Sequence, residues 1–338
     1  MTDPKSSPRP TIADVARRAA VSIATVSRVL NSTGPVDEET AERVRTAIAG
    51  LNYVPHAAAR TLASRKTKTI GLLLLDIGGE FFQPMLRGIE ASSSEAGYDL
   101  LIHSTRRPRN MPWRPLGEHN TDGLLVFTDS LDAAELHRLN SISFPVVMLH
   151  QTPPDSLEIP VVTVENQSGV QKLVEHLVDI HGCRRIAFLQ GPEGNEDSHW
   201  RELGYRAALK NRHLPFDPAL VTNGGFQTDS AEAAVRRLLK DGIEFDGIFS
   251  GDDDSAIGVI HALRQAGLKV PEDVAVVGFD DSTFAQMLVP PLTTVRAPME
   301  QVGREAVRQL VRVIQHENVE ARLVLPTEQV IRRSCGCG

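Results

Sequence analysis

The sequence predicts a small N-terminal all-α helix-turn-helix domain joined to a larger α/β body of two lobes on doubly wound parallel sheets. Three observations lead there. Apolar residues recur at helical spacing through residues 12–51, with capping residues where turns belong. From residue 69 onward, short apolar runs alternate with amphipathic stretches, the pattern of parallel strands joined by crossover helices. Charge is also divided. Residues 1–70 carry eleven Lys+Arg against six Asp+Glu, a balance of +5, in a chain whose net charge is −7. A basic head on an acidic body suits a polyanion-binding head whose body stays clear of the polyanion. At 338 residues there is room for one small domain and two lobes.

Residues 1–10 are polar and Pro-rich, lack the apolar core of a signal peptide, and read as a disordered lead-in. No apolar run approaches the ~20 residues that span a bilayer, so the expected location is cytoplasmic, with no membrane partner. In residues 11–54, Ile12, Val15, Ala16 and Ala19 form one apolar face. Ala20 holds the tight turn, where a left-handed backbone would cost ~1 kcal/mol. Ser22 is placed to cap a second helix, in which Val26, Val29 and Leu30 face the core. Ile23, Ala24, Thr25, Ser27, Arg28 and Asn31 are left on its other faces. Hydroxyls, an amide and one Arg suit phosphates and base edges better than they suit a solvated or an apolar docking face. Asp37 caps a third helix, Glu38 and Glu39 complement its dipole, and Val44, Ala47, Ile48 and Leu51 supply its core stripe.

The body, residues 69–333, has expected strands at 69–75, 99–103, 123–127, 146–149, 185–190, 247–250 and 274–278. Helical patterns lie at 82–96, 167–180, 198–212, 229–240 and 255–266. Open α/β sheets bind ligands at the carboxyl ends of their strands, so two facing lobes place a ligand in the cleft between them. The run Asp252–Asp254 opens a helix, and capping explains it better than a metal, with Asp252 facing the cleft. Three prolines in 106–117 forbid a normal helix there, leaving either an altered dimer surface or a loop over the cleft. No GxSxG, phosphate-binding loop, GxGxxG after a strand or His/Cys metal cluster is legible, so neither an enzyme, a cofactor nor a metal is expected. The three cysteines, Cys183, Cys335 and Cys337, read as free thiols; the last two lie in a short tail, 334–338, and two thiols alone cannot complete a tetrahedral zinc site.

Two segments, VSIATVSRVLN at 21–31 and LNYVPHAAARTLAS at 51–64, closely resemble the N-terminus of the LacI/GalR family of bacterial transcription regulators. The resemblance joins a helix-turn-helix to a third helix and a Tyr-x-Pro segment, whose Tyr53 would also contact DNA. It implies that Ile23 and Ala24 occupy the family's variable base-reading pair. Thr25, Ser27, Arg28 and Asn31 would hold its more constant DNA-contacting positions, with Thr11 and Ser22 on phosphates. Residues 55–68 would be a hinge. An isolated nine-residue helix from His56 is marginal, so folding on DNA is expected. There Leu62 would wedge into the minor groove and Ala59 would permit close approach; His56 stands where the family often has Asn.

The resemblance extends over nearly the whole chain and implies a periplasmic-binding-protein-like sensor. GPEGNEDSHWRELGY would supply Arg201 to an effector, with Asn195 and Asp197 nearby; VVGFDDS would supply Asp280 to sugar hydroxyls. Phe226 falls where the family stacks an aromatic ring on ligand, and Asp76, Phe81 and Phe82 would line the other lobe. His150, followed by Gln151, stands where an acidic-basic pair is usual, also beside the ligand. The implied protein is a homodimeric or tetrameric repressor of carbohydrate-utilisation genes. It would bind double-stranded DNA at a pseudo-palindromic operator under a small sugar-like effector. Alternatives are a nucleobase or phosphoprotein co-effector, or a sugar-binding protein without DNA function; the head argues against the last.

Overall fold

The computed structural model describes residues 10–31, 34–54, 66–79, 81–105, 116–154 and 157–338. The expectations for Pro55, His56, Ala59 and Leu62, for 106–115 and for the lead-in 1–9 lie outside the described residues, as does the side chain of Asn31. The chain divides into two units, Met1–Thr67 and Lys68–Gly338.

In the first unit, α1 spans Ile12–Ala19. Thr11 and Asp14 close a reciprocal capping box, with the Thr11 N–H donating to Asp14 Oδ2 at 2.9 Å. Ala20 takes the left-handed backbone that the turn demands, at φ 54°. Helix α2, Ile23–Asn31, starts on the Ser22 hydroxyl, which accepts the Thr25 N–H at 3.1 Å. Helix α3, Glu38–Leu51, is capped by Asp37, whose carboxylate accepts the Thr40 N–H at 2.8 Å. Val15, Val26 and Val44 are fully buried at the centre of this core. Tyr53 packs into the same cluster.

In the second unit, β1 (Thr69–Leu74), α4 (Phe82–Glu95), β2 (Asp99–Ser104), β3 (Gly123–Phe127), α5 (Ala133–Ser141), β4 (Val146–Leu149) and β5 (Val161–Val164) build one lobe. The chain then crosses over. Helix α6 (Gln167–His181), β6 (Ile186–Gln190), α7 (Glu196–Asn211), β7 (Val221–Asn223), α8 (Thr228–Lys240), β8 (Gly247–Ser250), α9 (Asp253–Gln265) and β9 (Ala275–Val277) build the other. It returns through β10 (Thr294–Arg296), α10 (Met299–Ile314), β11 (Arg322–Leu325) and β12 (Glu328–Val330). The first sheet runs β11-β5-β4-β3-β1-β2 and the second β7-β6-β8-β9. Every strand pair in both is parallel, while β10 and β12 form an antiparallel ribbon. Strands β3, β4 and β8 are buried throughout, which is why they read as unbroken apolar runs.

The expected tail at 334–338 is instead part of the second lobe. Ser334 is fully buried, donates its hydroxyl to the Val276 carbonyl at 2.6 Å and accepts the Thr293 N–H at 2.8 Å. It therefore acts as an extra edge on β9, using hydrogen bonds that a three-residue strand leaves open.

Helices α4 and α10 come unusually close. A Cβ on Gly88 would collide with the Glu300 carbonyl, and one on Gly303 with the Met85 carbonyl. Both obstacles are backbone and cannot turn aside. Gly303→Val should therefore cost about 3 kcal/mol or more by overpacking. Urea denaturation of the full chain checks this, and an unchanged midpoint would contradict the close approach.

Candidate functional site

On the head, the turn and α2 present one polar face. Ile23 is half exposed, and Ser22, Ala24 and Arg28 are exposed; Thr25 and Ser27 are half-buried beside them. The Ser22 and Thr25 hydroxyls lie 2.9 Å apart, so one pre-orients the other. Thr11 is exposed at the start of α1. Tyr53 is different: its ring is buried at 7% exposure, so its place among the expected DNA-contacting residues is corrected to core packing. The reason is local. Asn52 turns left-handed after α3 and folds the next residue back onto the core.

In the body, the carboxyl ends of both sheets face a cavity of about 590 Å³. The first lobe contributes Phe81 and Arg87, and α10 contributes Met299 and Arg304. The second contributes Asp252, Asp253, Asp280, Asp281, Arg296 and Arg332. Asp252 caps α9, accepting the Ser255 N–H at 3.0 Å, and also lines the cavity. Asp253, one residue on, accepts from the Thr294 hydroxyl and the Ser282 N–H, each at 2.7 Å.

Behind the cavity runs a buried polar relay. His150 Nδ1 lies 2.8 Å from Asp197 Oδ2, and the Asn166 amide donates to Asp197 Oδ1 at 2.8 Å. Arg201 donates from Nε to Asn166 Oδ1 at 2.9 Å and from Nη1 to the Gly251 carbonyl at 2.6 Å. Its guanidinium lies 3.7 Å over the Phe279 ring and 5.4 Å from that of Phe226, and Nη2 is 3.8 Å from Asp280 Oδ1. The relay ties the end of β4 to the ends of β5 and β8, and so ties lobe to lobe. Phe81, Phe82, Phe127 and the His150 ring form an aromatic cluster at its first-lobe end, edge-on throughout except for the tilted Phe127–His150 pair.

Two relay atoms, His150 Nε2 and Asp280 Oδ1, are buried without a hydrogen-bond partner among the described residues. Such atoms are costly unless a ligand completes them. Electrostatics agree. Burial pushes Asp252 up to about 6 and Asp253 up to about 7. It pushes Asp280 well above the usual carboxylate range, against the pull of Arg201. Burial also pushes Asp197 upward, but His150, Arg201 and Asn166 outweigh it and hold it low.

The remaining expected residues are more peripheral. Asp197 has both carboxylate oxygens engaged inside the relay. Asn195 caps α7, accepting the Ser198 N–H at 2.9 Å, and lines a separate groove with Gln190 and Asn223. Its expected place in the cleft is corrected for that reason. Asp76 is half exposed and accepts the Gly78 N–H. The sequence reading missed Asn166, although a polar residue just past a strand's carboxyl end was a usable signal. It also missed Asp281, which pairs with Arg296 at 2.7 Å and Arg332 at 2.6 Å. Those arginines arrive from distant strands and had no local signal.

Known proteins resemble the chain in the same two parts. Residues 11–56 match the bacterial regulatory proteins, lacI family, and residues 174–335 match the periplasmic binding protein-like domain. The chain is 34% identical to a ribose operon repressor of Halalkalibacterium halodurans over 96% of each chain. It is 35% identical to the HTH-type transcriptional regulator CelR of Thermobifida fusca, over 96% of this chain and 98% of that one. Among solved structures, a CelR–cellobiose complex matches at TM-score 0.72 and 33% identity, over 96% of this chain and 100% of that one. A lac repressor dimer bound to operator and the anti-inducer ONPF matches at TM-score 0.84 and 26% identity, over 96% and 99%. Among the described residues no helix is long and apolar enough to cross a membrane.

Proposed function

Since this chain belongs to the lacI family of bacterial regulatory proteins, we propose that it represses carbohydrate-utilisation genes under control of a sugar-like effector held between its lobes. The relay carries this reading. It offers buried carboxylates, an amide, a guanidinium on an aromatic face and two unsatisfied polar atoms, the chemistry that a polyol needs. Arg201, Asp280, Asp252 and His150 would bind hydroxyls, and Phe81 and Phe226 would flank the ring. Ile23 and Ala24 would read base edges; Thr25, Ser27, Arg28 and Asn31 would support them, with Thr11 and Ser22 on phosphates. A homodimer or tetramer acting in the cytoplasm would place two heads on a pseudo-palindrome, and Leu62 from each hinge would wedge its centre. Effector binding would shift the lobes and so change hinge folding, a coupling worth ~1–3 kcal/mol.

Selection of binding sites from random DNA with the full chain tests the first half. A two-fold symmetric site is expected. Its affinity should fall roughly 10³–10⁵-fold between about 50 and about 200 mM salt, as counterion release at several phosphates requires. A flat salt response would exclude the DNA reading. A thermal-shift screen of mono- and disaccharides tests the second half. A sugar that stabilises the body should also change operator affinity.

A further inference from the structure

We infer that His176, His181, Cys335 and Cys337 form a tetrahedral zinc site that staples the end of α6 to the segment following β12. No His/Cys cluster is legible along the sequence, but the fold brings two imidazoles to the two thiols. All four ligand atoms lie within 4.8 Å of one another. His176 Nε2 and His181 Nε2 are 3.2 Å apart. Cys337 Sγ is 3.5 Å from the first and 3.4 Å from the second, and Cys335 Sγ is 3.8 Å from His176 Nε2. Zinc binds imidazole at about 2.0–2.1 Å and thiolate at about 2.3 Å, so a tetrahedron around it has edges of about 3.3 Å for N···N and about 3.5 Å for N···S. The four edges given lie within about 0.3 Å of those values, and the two from Cys335 to Cys337 and His181 are bounded by 4.8 Å. Ordinary hydrogen bonding among four weak groups has no reason to converge on one point.

The surroundings are built for it. His181 is the last residue of α6, whose carbonyl end favours a cation. Gly336 sits at φ 109°, and a Cβ there would lie 2.8 Å from His181 Nδ1, so glycine lets the turn close over that ring. Cys335 is buried, accepts from the Thr293 hydroxyl at 3.1 Å, and follows Ser334, which is bonded to β9. Cys183 is a poor fifth ligand, since its thiol donates to the Asp246 carbonyl at 3.7 Å. Binding releases the two thiol protons to solvent. The same Thr293 hydroxyl accepts the Arg332 N–H at 2.8 Å, and Arg332 lines the effector cavity. The ion would therefore hold in place a segment that helps shape the cleft.

The test is zinc content of the full chain after reduction and removal of bound metal, titrated against a chelating indicator. One zinc per chain is expected, together with a raised melting temperature. Loss of a ligand in Cys337→Ser or His181→Asn should weaken uptake by more than the roughly 10–100-fold cost of disturbing an outer partner. Cobalt(II) titration of the unaltered chain guards against misfolded variants: intense visible bands and a sulfur-to-cobalt charge-transfer band report a tetrahedral site with thiolates. Weak octahedral bands, substoichiometric zinc, or variants that load as fully as the parent would each overturn the site.

Discussion

Arg201→Ala should abolish the effect of a bound sugar on operator affinity and destabilise the body by about 3–5 kcal/mol, the usual cost of removing one partner from a buried charged network. Three groups lose their partner at once. Asn166 Oδ1 and the Gly251 carbonyl each lose a short hydrogen bond, and Asp280 loses the nearest opposing charge. The guanidinium also leaves the Phe279 face. Arg201→Lys should be intermediate, since it keeps the charge but not the planar fork that reaches Asn166 and Gly251 together. The head is a separate compact unit, so DNA binding by folded Arg201→Ala protein should persist. Urea denaturation gives the stability, and operator affinity with and without the sugar gives the response. A variant that responds normally would remove Arg201 from the effector site.

The body should lose stability as pH rises from about 4 to about 7. Most paired carboxylates behave in the opposite way. The cause is the cluster of Asp252, Asp253 and Asp280, which burial holds protonated above the ordinary carboxylate range. A folded pKa above the unfolded one means that the native state binds more protons. The stabilisation is then complete below the unfolded value near 4 and is lost as pH climbs through the folded value. For Asp253, raised to about 7, that amounts to about 4 kcal/mol. Asp253→Asn should flatten the profile, since the amide can accept the Ser282 N–H on its oxygen and donate its NH2 to the Thr294 hydroxyl without acquiring charge. Melting temperature measured across this range checks it; a profile equally steep in the variant would assign the effect elsewhere. A sugar donating hydroxyls to ionised Asp280 should release protons on binding, so its affinity should rise with pH over the same interval.

Legibility in the sequence followed the range of the forces involved. Caps act over three residues, so Ser22 and Asp37 could be read directly, and so could the turn at Ala20, whereas the Thr11–Asp14 capping box was missed. Buried parallel strands such as β3 and β8 are continuous apolar runs and could be read almost as easily. Strands β10 and β12 span three residues each and take their order from pairing with each other, which no local pattern announces. The cavity was half visible. Asp252 and Asp280 sit at strand ends, where ligand groups are expected, whereas Arg296 and Arg332 converge on Asp281 only after two returns of the chain. The His/Cys cluster was least visible, since its imidazoles belong to α6 and its thiols follow β12.

The pairing of α4 with α10 has a consequence for biosynthesis. The Ser92 hydroxyl on α4 reaches the Arg304 carbonyl across 212 residues of sequence. At a translation rate of roughly 5–20 residues per second, α4 therefore waits roughly 10–40 s for its partner, with the face around Gly88 uncovered. The head, a separate compact unit made before the rest, can finish folding in that time. The nascent first lobe cannot, and chaperones have that interval in which to bind it.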